Sequence, residues 1–176
     1  MTHKVVKYMN NANLEKPAAL VAEEEFGTPE LEKLVEDMWE TMYASRGLGL
    51  AAPQIDVHKR LTVIDTSGGE EGIEPNKVVL INPEIVFKEG KQTGEEGCLS
   101  IPGFREEVRR SKRVKVRARN AKGDVIEADG EDLMARAMQH EIDHLNGILF
   151  LSHLSPLKRE VIRRKIKKLI QAGEWD

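Results

Sequence analysis

His140-Glu141-Ile142-Asp143-His144 sets two imidazoles four residues apart, with a carboxylate directly after the first. On a helix, positions i and i+4 lie one above the other, so His140 and His144 can reach one metal ion and Glu141 can reach its bound water. The metal would lower the pKa of that water toward neutrality. The carboxylate would take the proton and later pass it to a leaving group. The plain alternative is a helix carrying two hydrogen-bonded histidines and a solvated glutamate. A hydrolytic site needs a third protein ligand and one open position. The extended metallopeptidase form of this pattern would put a histidine at position 150, but that residue is Phe150; His153 and Glu160 lie downstream without a compelling placement.

Upstream, Glu95-Glu96-Gly97-Cys98-Leu99-Ser100-Ile101-Pro102 presents the chain's single thiol. A thiolate is a soft, strongly donating ligand suited to Zn²⁺ or Fe²⁺. Cys98 with His140 and His144 would give three ligands and an open position, whereas an inert buried thiol is the ordinary fate of a free cysteine. A third stretch, Gly47-Leu48-Gly49-Leu50-Ala51-Ala52-Pro53-Gln54, has two close glycines but no Gly-Lys-Ser/Thr continuation, which argues against a phosphate loop. It reads either as a helix end followed by a packed turn or as a peptide-binding edge with Gln54 as an oriented donor.

The elements that must hold these residues follow from periodicity. Thr28-Pro29 offers an N-cap and a first-turn proline, and Leu31, Leu34, Val35, Met38, Trp39, Met42 and Tyr43 recur at helical spacing up to Gly47. Short β-branched runs predict strands at 61–64, 78–81, 84–87, 114–118 and 125–128. A second helix is expected over 131–146, stopped by Asn146-Gly147, and a third opens at Ser155-Pro156 with Leu157, Val161, Ile162, Ile166, Leu169 and Ile170 as its stripe. This order lacks regular βαβ alternation, so the predicted class is α+β: antiparallel or mixed sheets packed around a central metal-binding helix, with an N-terminal and a C-terminal helix.

A length of 176 residues fits one domain, here 1–176, with 155–171 as a basic amphipathic C-terminal helix. The balance of 27 Lys+Arg against 30 Asp+Glu excludes a globally basic nucleic-acid binder, so DNA is not expected as a partner. One cysteine excludes an internal disulfide framework and points to a reducing compartment. No apolar run of about 18 residues suggests a membrane helix, and the first residues lack the features of a secretory or transit segment. A cytoplasmic location is the expectation.

Taken together, the three stretches resemble the peptide deformylases. That family is marked by Gly-x-Gly-Leu-Ala-Ala-x-Gln, Glu-Gly-Cys-Leu-Ser and Gln-His-Glu-x-Asp-His, present here in order, ending at Gln54, Ser100 and His144. The resemblance implies a metal-dependent hydrolase of protein biosynthesis. It would remove the formyl group from the N-terminal formyl-methionine of nascent bacterial polypeptides and release formate. It further implies that Cys98, His140 and His144 hold the metal, and that Glu141 is the general acid/base as metal-bound hydroxide attacks the formyl carbon. By the same resemblance, the Gln54 amide and the Leu99 N–H stabilise the oxyanion, while Leu48, Gly49 and Gly97 bind the extended substrate through backbone groups. The family generally works with Fe²⁺, and Zn²⁺, Ni²⁺ or Co²⁺ can occupy the same site. By resemblance, too, the basic C-terminal helix could dock on the ribosome; a solvated charged face is the plainer reading.

Arg136 stands one helical turn before His140. It is either a solvated arginine or turns away from the substrate pocket to pair with Glu95 or Glu96 and orient the Cys98 loop. Two rival functions remain at this level. A metallopeptidase would use His140, Glu141 and His144 but leave Cys98 and Gln54 idle. A noncatalytic metal-stabilised module would leave Glu141 without work.

Overall fold

The computed structural model describes residues 1–175. Helix α1 (Pro29–Ala44) begins where Thr28 accepts a hydrogen bond from the Leu31 N–H and Pro29 occupies the first turn. Its buried Leu31, Val35, Met38 and Met42 pack on β1 (Gly49–Ala51) and β2 (Leu61–Asp65) through Leu50, Leu61 and Val63. Strand β2 is buried along its whole length, as a strand covered on both faces must be. Next come β3 (Lys77–Glu89), β4 (Gln92–Cys98), β5 (Ile101–Arg110), β6 (Arg113–Arg119) and β7 (Val125–Glu131), followed by α2 (Asp132–Leu145) and α3 (Pro156–Gln171).

The strands form a five-stranded sheet ordered β1-β2-β3-β6-β7 and a separate β4–β5 hairpin, and all these pairings are antiparallel. The α+β expectation therefore holds, in its antiparallel form. Two predicted strands, at 78–81 and 84–87, are one: Asn82 takes a φ of 51°, and the β3–β6 register shifts between Ile81 and Glu84. That bulge, beside Pro83, interrupts the hydrophobic pattern without ending the strand. The α3 stripe is narrower than predicted. Ile162 and Ile166 are buried and Leu169 half-buried, while Leu157, Val161 and Ile170 are exposed.

Helix α2 is the centre of the arrangement. At 100° per residue, Ala135, Met138 and Ile142 fall on one face, where they pack on Ile64, Leu80, Val114 and Val116 of the large sheet. Arg136, His140 and His144 fall on the opposite face, toward the β4–β5 hairpin. The sheet thus anchors the helix, and the hairpin completes what the helix displays.

The end of β2 is pinned by one carboxylate. Buried Asp65 accepts from the Tyr43 hydroxyl at 2.6 Å, the Ser67 N–H at 3.0 Å, the Ser67 hydroxyl at 2.7 Å and the Asn76 N–H at 3.1 Å. Its own N–H donates to the Leu48 carbonyl at 2.8 Å, so the turn also fixes the segment entering β1. Burial opposes the charge, but the donors of Tyr43, Ser67 and Asn76 outweigh it and bring Asp65 down to about 2. Because the folded pKa is depressed, this stabilisation is present above the unfolded value near 4 and is lost as pH falls from about 4 toward 2. Asp65→Ala, which orphans these donors, is expected to cost about 3 kcal/mol at neutral pH. Urea unfolding of both proteins at pH 7 and pH 3 checks this, with the gap narrowing at the lower pH.

Candidate metal centre

The hairpin carries Cys98 to the helix. Cys98 Sγ lies 3.3 Å from His144 Nε2, which is 3.2 Å from His140 Nε2. The three donor atoms lie within 4.8 Å of one another. Donors of a tetrahedral site with bonds of roughly 2.0–2.3 Å sit roughly 3.3–3.6 Å apart, so the set fits one small divalent cation. The histidine tautomer fits as well. His140 Nδ1 lies 2.9 Å from Glu96 Oε1; with the proton on that nitrogen, the Nε2 lone pair is left for a metal.

The electrostatics are those of a site prepared for positive charge. Burial disfavours the Cys98 thiolate, yet the charges and hydrogen bonds of His144 and His140 prevail and bring the thiol to about 5. Burial likewise disfavours a protonated His140, and its hydrogen bonds to Cys98 and Glu96 reverse this, raising it to about 10. Both shifts favour the charged thiolate, and a metal binding here must displace a proton from the cluster.

Around this centre lies a cavity of about 430 Å³ lined by residues of all three sequence stretches, among them Leu48, Gly49, Gln54, Gly97, Cys98, Leu99, His140 and Glu141. Gln54 is buried and oriented: its Oε1 accepts from the Ala51 N–H at 2.9 Å, and its Nε2 donates to Ser100 Oγ at 3.2 Å and lies 3.5 Å from Cys98 Sγ. Leu99 sits in the turn between β4 and β5, where its N–H has no backbone acceptor among the described residues. Glu141 is buried, with its Oε2 lacking a hydrogen-bond partner among the described residues, and burial raises its pKa against the pull of His140 and His144. Gly49 is required here: a Cβ at that position would stand 2.7 Å from Glu141 Oε1. Of the site residues expected from the sequence, all but His144 line this cavity, and His144 joins them through its contacts with Cys98 and His140.

Phe150, where an extended metallopeptidase would carry its third histidine, instead stacks on the His140 ring at a centroid distance of 6.3 Å. His153 is not among the clustered donors. It bonds Asp143 Oδ2 at 2.8 Å. Arg136 pairs with Glu96, as one reading held, while Glu95 goes to Arg105. Arg136 does not turn away from the pocket, however; it is among the residues that line the cavity.

Sequence reasoning missed Arg110. This buried side chain grips Glu96 with two bonds of 2.9 Å and reaches Asp143 Oδ2 at 2.6 Å. Burial raises the Glu96 pKa, and Arg110 and His140 overcome it, so Glu96 remains ionised. No sequence signal marked Arg110, because the strand that turns it inward was itself not expected.

An α+β scaffold presenting a Cys-His-His donor set beside a buried carboxylate defines a metal-dependent hydrolase. The family model for polypeptide deformylases matches residues 2–160. A peptide deformylase of Acidobacterium capsulatum is 53% identical over 175 residues, covering 99% of both chains. The chain belongs to the peptide deformylase family. Among solved structures, a peptide deformylase from Legionella pneumophila is 43% identical with a TM-score of 0.87, covering 100% of this chain and 99% of its own. A peptide deformylase from Acinetobacter baumannii, solved with Met-Ala-Ser bound, is 35% identical with a TM-score of 0.81, covering 88% of this chain and 99% of its own.

Proposed function

We propose that this chain, acting as one catalytic domain, removes the formyl group from N-formylmethionyl nascent peptides in a bacterial cytoplasm. The reading is carried by one observation: Cys98, His140, Gln54 and Glu141 line one cavity, and His144 Nε2 clusters with Cys98 Sγ and His140 Nε2 at its wall. A divalent metal held by Cys98, His140 and His144 would acidify water and polarise the formyl carbonyl. Glu141 takes the proton from the attacking water and returns it to the departing amine. The Gln54 amide and the Leu99 N–H donate to the oxygen that gains charge. Leu48, Gly49 and Gly97 face the cavity from β4 and from the edge of the large sheet at β1, so an extended peptide can lie between them as an added strand.

The deciding experiment loads the protein anaerobically with Fe²⁺ or Ni²⁺ and measures formate released from a formyl-methionyl peptide. Release establishes the reading; silence from a folded, metallated sample defeats it. Gln54→Ala is expected to lower kcat by roughly 10²–10³-fold, the usual effect of losing one oxyanion donor, while metal content is unchanged. Fe²⁺ is the proposed physiological metal on the ground of family membership, since a thiolate with two imidazoles suits Zn²⁺ equally. The iron-loaded enzyme is then expected to lose activity in air, and Ni²⁺ loading is expected to prevent the loss; an iron form indifferent to oxygen refutes that assignment.

The exposed Arg164, Lys165, Lys167 and Lys168 of α3 make a basic face suited to the ribosome, where the substrate emerges. Because Ile162, Ile166 and Trp175 are buried against the body, deleting α3 would uncover core; charge neutralisation is the cleaner test. Changing those four residues to Gln is expected to abolish ribosome co-sedimentation that in the wild type weakens steeply with salt.

A further inference from the structure

The metal donors come from two separate elements, Cys98 from the β4–β5 hairpin and the histidines from α2. Their geometry therefore depends on whatever fixes the hairpin against the helix. Arg136 projects from α2, one turn before His140, and is buried. Its Nη1 bonds Glu96 Oε2 on β4 and the Val108 carbonyl on β5 at 2.9 Å, and its Nη2 reaches Gln92 Oε1 on β4 at 3.4 Å. One guanidinium thus spans the helix and both strands of the hairpin. Glu96, its principal partner, is also the residue bonded to His140 Nδ1.

The charge count supports a role beyond packing. Arg110 and Arg136 face Glu96 and Asp143, two cations against two carboxylates in a buried cluster. Without Arg136, Glu96 Oε2 keeps only the Arg110 Nε bond and the cluster carries an excess negative charge next to His140. Gly94 makes room for the arrangement: a Cβ there would stand 3.1 Å from Arg136 Nη2 and 3.3 Å from its Cζ. The guanidinium therefore lies against bare backbone of β4, and a Cβ at 94 would make it give by a few tenths of an ångström.

We infer that Arg136 is a positioning residue for the metal centre: it braces α2 against the hairpin and clamps Glu96, so that His140 and Cys98 meet at bonding geometry. Arg136 is also one of the residues lining the cavity. The inference rests on Cys98, His140 and His144 being the ligands, and its test does not depend on the reaction.

The experiment compares wild type, Arg136→Met, Arg136→Lys and Gly94→Ala, each checked for folding by circular dichroism. Co²⁺ affinity is measured by chelator competition, and the visible spectrum of the Co²⁺ form is recorded. The expected result for Arg136→Met is roughly 10–100-fold weaker Co²⁺ binding, the scale known for contacts that support a ligand, with a shifted spectrum. Arg136→Lys keeps the charge without the fork and should recover part of the affinity. Gly94→Ala should move affinity and spectrum in the same direction by a smaller amount. A folded Arg136→Met with wild-type affinity and spectrum, altered only in KM for a formyl peptide, would show a mere wall residue and overturn the inference. Should Arg136→Met fail to fold, Gly94→Ala decides, and an unchanged Co²⁺ affinity and spectrum there overturn it too. A wild type that binds no Co²⁺ removes the ligand assignment and the inference with it.

Discussion

Glu141→Gln is expected to keep a full complement of metal and to lose about 10²–10⁴-fold in kcat, the range associated with removing a positioned general acid/base. The substitution preserves shape, which matters because the Glu141 carboxylate fills the space above Gly49 that no side chain could share. It also leaves Cys98, His140 and His144 untouched, so metal content should match the wild type. Glu141 is not tied up as a structural acceptor: its Oε2 is buried without a partner among the described residues. Burial has raised its affinity for a proton, as suits a group that must take one and give it back. The measurement is formate release at saturating peptide, alongside metal analysis of the same samples. A Gln variant with wild-type kcat would remove Glu141 from the chemistry and favour a noncatalytic role for the site. A variant that loses its metal would make Glu141 a support of the centre instead.

The histidine pair and Glu141 were legible because helical periodicity fixes which side chains share a face, and α2 is held to that periodicity by Ala135, Met138 and Ile142 on the sheet. Cys98 was legible as a residue type but not as a place. The hairpin that delivers it, 92–110, was not expected as strands at all. Its inward positions include Glu96 and Arg110, and its outward positions carry Glu95, Arg105 and Glu107, so no alternation of apolar and polar residues marks it. Those inward charges are tolerated because Glu96, Arg110, Arg136 and Asp143 satisfy one another. The segment that departs from the ordinary strand pattern is the one that supports the metal ligands. The β1 edge was legible only as one of two readings: three residues, Gly49, Leu50 and Ala51, are too few to show a period, and the pairing with Ile64, Val63 and Thr62 makes them a strand.

Cys98→Ala should act differently from Glu141→Gln, by removing the metal before it can slow the reaction. With Cys98 gone, only His140 and His144 remain as protein donors, and the one soft, negatively charged ligand is lost. Affinity is expected to fall by more than the roughly 100-fold that marks loss of a merely supporting contact, and activity at stoichiometric metal should fall with it. Stability should change little by comparison, since Cys98 is only half-buried and lies at the edge of the cluster formed by Ile101, Phe150 and Leu151. Metal retained through gel filtration and Co²⁺ titration of the apoprotein measure the effect. If Cys98 were an inert thiol, the alanine variant would leave the column fully metallated, and the donor set would need another third member. The two variants together separate the readings of the site. A hydrolase loses its rate with its metal in place at Glu141 and loses the metal itself at Cys98, whereas a metal-stabilised module depends on Cys98 alone.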